Sequence, residues 1–295
     1  MSINLPTHFV EQYKGNVVHK LQYAGSKLRG KVTEGGYMGD GAQAMDFIGE
    51  VNMTQVTSRL APMPRTDAPT DTVWVYPTDY DLPQMVHSFD KLRLMTDPEG
   101  PLVAAAVKAT GRKFDDVLFD AFFGTMKTGV RGGTDEAFDT TNHKVGTDVG
   151  GTASGLNLEK IIEGLEILQE AEVDLDAEKA CIAITPNQQS AILNDVRATD
   201  RNFATAATIV GGKVTEIMGA DVVVSTKVPN GTGSLKRCPL WVPSGMHLAI
   251  WADVNARVDP RPDIQGVPNQ LYTYVTMDGT RTEAGKVIEL ECTES

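Results

Sequence analysis

Five histidines, three cysteines and 39 acidic side chains are the groups in this 295-residue chain that could ligate a metal or move a proton. The histidines, His8, His19, His87, His143 and His247, stand too far apart for the HxH or HxxxH pairs that hold a metal from one strand or one helical turn. Cys181, Cys238 and Cys292 are odd in number, scattered and never in a CxxC pair. That argues against a disulfide framework and against a structural zinc site. GGTASG, residues 150–155, resembles a phosphate loop only in its glycines. It lacks the Gly-Lys-Ser/Thr ending, and no strand leads into it. Asp79 and Asp81 flank Tyr80 in a proline-broken turn, without the third ligand, the glycine and the closing glutamate of an EF-hand. A solvated acidic turn is the simpler reading. There is no GxSxG elbow and no basic patch interleaved with aromatics. The expectation is a protein with no catalytic, cofactor-binding or metal-binding residue, and not an enzyme.

The elements that would have to position any chemistry point elsewhere. Composition is that of an ordinary soluble protein, 41% hydrophobic and 22% charged, in a chain long enough for two domains or one elaborated one. No apolar run approaches the ~20 residues of a membrane span, and the start lacks the n- and h-regions of a signal peptide. The expectation is a protein made and kept in the cytosol. A net charge of −12 should repel nucleic acid rather than grip it.

Residues 100–124, GPLVAAAVKATGRKFDDVLFDAFFG, organise the chain. Pro101 suits a first helical turn, and Val103, Val107, Thr110, Phe114, Val117 and Ala121 recur at four- and three-residue steps. Leu118 and Phe122 widen this to a stripe that buries against a sheet; Gly111 marks a bend or a close packing point, and Gly124 a left-handed stop. Upstream, Phe9, Tyr13, Val17 and Leu21 repeat every four in an amphipathic helix over 7–28 that must dock on its own body or on a neighbour. Residues 47–60 and 73–76 read as strands, parted by APMPRTDAPTDT; YPTDYDLPQ breaks the pattern, and 84–94 resumes it. Together they predict a long two-stranded arm, of a kind only marginally stable alone.

Residues 129–155 read as a loop. Then Asn157 caps a helix ending near Val173, 179–185 is a strand, and Thr185-Pro186 opens a second helix. Residues 203–210 suggest a short helical piece, 222–224 a buried strand, KVPNGTGSLKRCP an exposed loop, and 240–251 an apolar strand region. Strands at 254–258, 272–277 and 286–292 close the chain, with Asp278-Gly279 as a hairpin signal between the last two.

That order, carried by FVEQYKGNVVHKLQYAGSKLRGKV, TDAPTDTVWVYPTDYDLP, the long helix, ACIAITPNQQSAIL, IMGADVVVST and YTYVTMDGTRTEAGKVIEL, resembles the major capsid proteins of tailed bacteriophages, the Hong Kong 97-type fold. The similarity covers nearly the whole chain and is one of order and texture. It implies an α+β fold with an N-terminal arm (1–44), an extended β-hairpin loop (45–95), a peripheral domain with spine helix and linker (96–155) and closing strands (252–295), and an inserted α/β axial domain (156–251). By the same resemblance the function is a major capsid protein that self-assembles, as pentamers and hexamers, into the icosahedral head enclosing double-stranded DNA, without sequence-specific binding.

The virion is then its location, reached by assembly in the host cytoplasm, with separate scaffolding, portal and cement or decoration proteins as possible partners and no membrane. No scaffolding region precedes the arm, so a scaffold is expected to be a separate protein. No lysine lies between Lys31 and Lys91, which removes the cross-linking residue that one branch carries on this loop; the shell is expected to be held non-covalently. Candidate intersubunit contacts are Phe9 and Tyr13 in the arm, with Arg65, Asp67, Trp74, Tyr76, Asp79 and Asp81 around the loop. An encapsulin-like compartment is the alternative within the fold, and a metabolic α/β enzyme the alternative outside it.

Overall fold

In the computed structural model the long amphipathic stretch is a 25-residue helix, α1 (Glu99–Phe123), one residue out of register with the expectation. The structure describes residues 25–49, 51–53, 55, 67–87, 99–149, 154–194, 207–210, 213–233 and 235–294. Before α1 come β1 (Thr33–Gly36), β2 (Ala42–Ile48), β3 (Thr70–Val75) and β4 (Asp79–Val86). After it come β5 (Met126–Thr128), β6 (Thr134–Glu136), β7 (Lys144–Val145), α2 (Leu158–Glu170), β8 (Cys181–Ile184), α3 (Pro186–Asn194) and β9 (Ala207–Val210). The chain ends with β10 (Lys213–Ile217), β11 (Ala220–Val224), β12 (Leu235–Trp241), β13 (Met246–Pro260), β14 (Asn269–Arg281) and β15 (Val287–Thr293).

These strands make three sheets. One, in the order β1-β13-β14-β4, carries α1 across β14 and β13. The buried stripe of α1 is Ala106, Thr110, Phe114, Val117, Leu118, Phe119 and Phe122. Val107, expected in it, is 45% exposed, because it stands one position, about 100° of helix rotation, off the line of Ala106, Thr110 and Phe114 that is buried. Gly111 is the close packing point: a Cβ there would lie 2.6 Å from the carbonyl carbon of Gly25. Gly124 ends the helix without a positive φ, so the expected left-handed stop is absent.

The second sheet has seven strands, β7-β15-β12-β8-β11-β10-β9, with α2 packed on β15 and α3 against β10. Asn157 caps α2 by accepting from Lys160 N at 2.9 Å. Thr185 and Gln188 form a reciprocal capping box on α3: the Gln188 side chain accepts from Thr185 N at 2.9 Å, and the Thr185 hydroxyl accepts from Gln188 N at 3.3 Å. One apolar core spans both sheets, joined where the Phe122 ring meets Trp241 at 4.7 Å. Trp241 is fully buried and donates its indole N–H to Lys31 O at 2.9 Å.

The third sheet, β2-β3-β5-β6, corrects the expectation of a free-standing pair, because β5 and β6 brace the hairpin at its base. β2 starts at Ala42 and stops at Ile48, so the ladder begins earlier and is shorter than residues 47–60 suggested. Most of the stretch read as a break, residues 79–83, belongs to β4, which runs on into the strand expected from Gln84. It is an edge strand, where Pro83 forfeits no ladder bond that matters. The loop 129–155 contains β6 and β7, each too short to show a period. LKRCP belongs to β12, not to a loop, and the described part of 203–210 is strand rather than helix. Asp278-Gly279 lies inside β14 and makes no hairpin; β14 and β15 sit in different sheets. Gly279 instead lets α1 approach, since a Cβ there would touch Ala121 Cβ at 3.3 Å. The helix expected over 7–28 lies outside the described residues up to position 24, and 25–28 is not helical.

Candidate functional site

Among the described residues no group of three or more His, Cys, Asp or Glu could hold a metal ion, and no helix is long and apolar enough to cross a membrane. All three cysteines are free and buried. Burial pushes the Cys181 thiol up to about 11 and lifts Cys238 well above its ordinary value, so neither is a ready nucleophile. Cys238 and Cys292 come together across β12 and β15, a contact that sequence spacing hides. Lys160 is fully buried on α2, with its ammonium donating to Ser154 O at 2.7 Å and Glu291 O at 3.0 Å; burial lowers its pKa. These groups tie elements together.

The surface around β3 and β4 is where the nominated residues gather. Alternation along β3 puts Trp74 on one face, and Tyr76 follows just beyond the strand on the same side. Both clasp the turn after β5: Trp74 Nε1 donates to Gly129 O at 2.8 Å and the Tyr76 hydroxyl to Arg131 O at 2.6 Å. Asp71 completes the clasp, its carboxylate accepting from Gly129 N at 3.1 Å. The turn needs glycine at 132, where φ is +66° and a Cβ would lie 2.8 Å from the Tyr76 hydroxyl. Sequence reasoning missed Asp71, whose role depends on a turn 58 residues away.

Asp79 and Asp81 lie in β4 opposite Thr276 and Tyr274 of β14. The Asp79 carboxylate accepts from the Thr276 hydroxyl at 2.6 Å. Burial, then the nearby Asp81 carboxylate, raises the Tyr272 phenol above its ordinary value. The rings of Tyr272 and Tyr274 stand 5.6 Å apart on this face of the sheet, turned from α1. Sequence reasoning missed both tyrosines, although the YTY alternation of a half-buried strand was a usable signal. On the helix side, Tyr80 lies under the Lys113 ammonium at 4.3 Å, lining a groove of about 350 Å³ between α1 and β4. Asp67 is exposed at the return of the hairpin. Phe9, Tyr13 and Arg65 lie outside the described residues.

The hairpin that these residues brace carries apolar side chains into solvent: Ile48 is 77% exposed and Met53 fully so. An arm that carries exposed apolar side chains is built for contact. The sequence profile of the phage capsid protein family matches residues 5–294. The chain belongs to the phage capsid protein family. Solved structures agree on the fold. The capsid of the cyanophage P-SCSP1u superposes with a TM-score of 0.73 at 13% identity, over 97% of this chain and 94% of that one. The capsid of Ralstonia phage GP4 gives 0.69 at 10%, over 100% and 98%. The capsid of a native GTA particle gives 0.69 at 11%, over 99% and 98%. None of the curated protein sequences matches it. This capsid protein therefore has the Hong Kong 97-type fold and is the major structural subunit of a phage head.

Proposed function

We propose that this capsid protein assembles through pentamers and hexamers into an icosahedral head around double-stranded DNA, held without covalent cross-links. The observation that carries this reading is the exposed hairpin, with Ile48 and Met53 standing in solvent beyond a base braced by Trp74 and Tyr76. Such a patch is covered in a stable assembly. In this reading the aromatics hold the hairpin to its own body, while Arg65, Asp67, Asp79 and Asp81 meet the adjacent subunit, and Phe9 and Tyr13 anchor the N-terminal arm. The arm is 1–44, the loop 45–95, the peripheral domain 96–155 with 252–295, and the axial domain 156–251, whose sheet borrows β7 and β15. Assembly proceeds in the host cytoplasm with separate scaffolding, portal and cement proteins, and the net charge of −12 keeps the wall from gripping the genome.

The non-covalent reading rests on chemistry. Residues 32–90 contain no lysine, and a guanidinium stays protonated and is a poor nucleophile. Cys181, Cys238 and Cys292 are at most 1% exposed and cannot reach another subunit. Boiled, reduced particles should run on a denaturing gel as single chains near 31.8 kDa. A ladder of pentamer- and hexamer-sized bands would contradict it.

A further inference from the structure

Asp115 is a carboxylate of α1 with no solvent exposure. Burying a charge costs several kcal/mol unless donors surround it. Here the donors come from three successive residues at the start of the described chain. The Ser26 hydroxyl donates to Oδ1 at 2.5 Å, Lys27 N at 2.9 Å and Leu28 N at 3.2 Å. Beside them the Gly25 backbone rests on Gly111, four residues earlier on the same face of α1, and Leu28 is fully buried. An apolar residue at 115 would serve the core equally well, but would not fix the register of an incoming backbone. Successive N–H groups converging on one carboxylate do fix it.

We propose that Asp115 and Gly111 form a dock that sets the point and direction in which the first 24 residues leave the body, and hence which neighbouring copy they reach; this rests on the assembly reading above. The exit lies on the flank of α1 facing away from Ala109 and Lys113, two residues to either side of Gly111, since positions two apart do not share a helix face. Twenty-four residues reach about 36 Å as a helix, or about 80 Å extended. With an unfixed exit, that reach would span several wrong partners as well as the right one. Asp115 is thus a positioning residue for the arm.

The test is Asp115→Asn in the full chain, which keeps the shape and removes the charge. Amide hydrogen exchange at Lys27 and Leu28 should rise by about tenfold or more, and tryptic cleavage after Lys14 and Lys20 should accelerate similarly. Exchange in β8 and β11 should stay unchanged, and closed particles should give way to irregular or open ones. Gly111→Ala, which displaces Gly25 without touching the carboxylate, should reproduce these effects. Normal particles with unchanged exchange at 27–28 would overturn the dock. So would exchange rising equally throughout the body, because Asp115 would then serve folding alone. Failure of the parent chain to form any particle would instead count against the assembly reading and leave the exchange result to decide the dock.

Discussion

His247 shows what a buried polar group does in this protein. It is 4% exposed at the start of β13, bonded to the Tyr37 hydroxyl at 2.9 Å, and burial lowers its pKa. The unfolded chain has a histidine near pH 6.5 and so takes up a proton first as pH falls. Folding therefore releases that proton, and the stability present above about pH 6.5 declines below it until the folded group also titrates. Denaturant melts from pH 7.5 to 5 should show this decline, and His247→Gln should flatten it; a profile unchanged by the substitution would assign the decline to carboxylates. Trp241 makes a second residue-scale prediction. Trp241→Phe leaves Lys31 O without its indole donor and opens space beside Phe122. The expected loss is about 1–3 kcal/mol in a denaturant melt. A loss under about 0.5 kcal/mol would mean that the two sheets are not joined through this contact.

At the scale of elements, the hairpin base is the part most open to test. Trp74→Phe and Tyr76→Phe each remove one hydrogen bond to the turn at 129–131, worth about 0.5–1.5 kcal/mol. Both should leave the far-UV spectrum intact while residues 49–69 become more sensitive to protease. Gly132→Ala should do more harm than either, because it combines a positive φ with a 2.8 Å approach to Tyr76. If all three variants resist protease like the parent, the clasp does not hold the hairpin. The elements that sequence made legible share a local cause. α1 was visible through a long 3.6-residue period, α2 through the Asn157 cap, and α3 through Thr185-Pro186. What stayed hidden depends on distant partners. β6 and β7 have only three and two residues, and exist because β5 and β15 lie beside them. Asp278-Gly279 carries a turn signal, yet sits mid-strand because α1 needs the missing Cβ of Gly279. Of the nominated contacts, alternation correctly grouped Trp74 with Tyr76. Tyr272 and Tyr274 meet Asp79 and Asp81 only because β4 lies beside β14.

At the scale of the whole molecule, the described surface is arranged for neighbours. β2, β4 and β6 are open sheet edges, and β13 runs ten residues past Ile250, where its pairing with β1 ends. Open edges invite pairing with other chains, and natural monomers blunt them. Exposed Ile48 ends one such edge strand, and exposed Met53 follows it in the chain. Removing the hairpin beyond its braced base, by replacing residues 50–68 with a short glycine-serine turn, should leave a folded subunit and abolish closed particles. Unchanged assembly would move the principal contacts to the arm or to the long β13–β14 pair. The most direct measurement is electron microscopy of the full-length chain, expressed and purified alone or with a scaffolding protein, with sedimentation velocity on the same sample. The account predicts closed shells of uniform diameter, with pentamer- or hexamer-sized species as their precursors. A stable monomer at high concentration, with its hairpin resistant to protease, would contradict it.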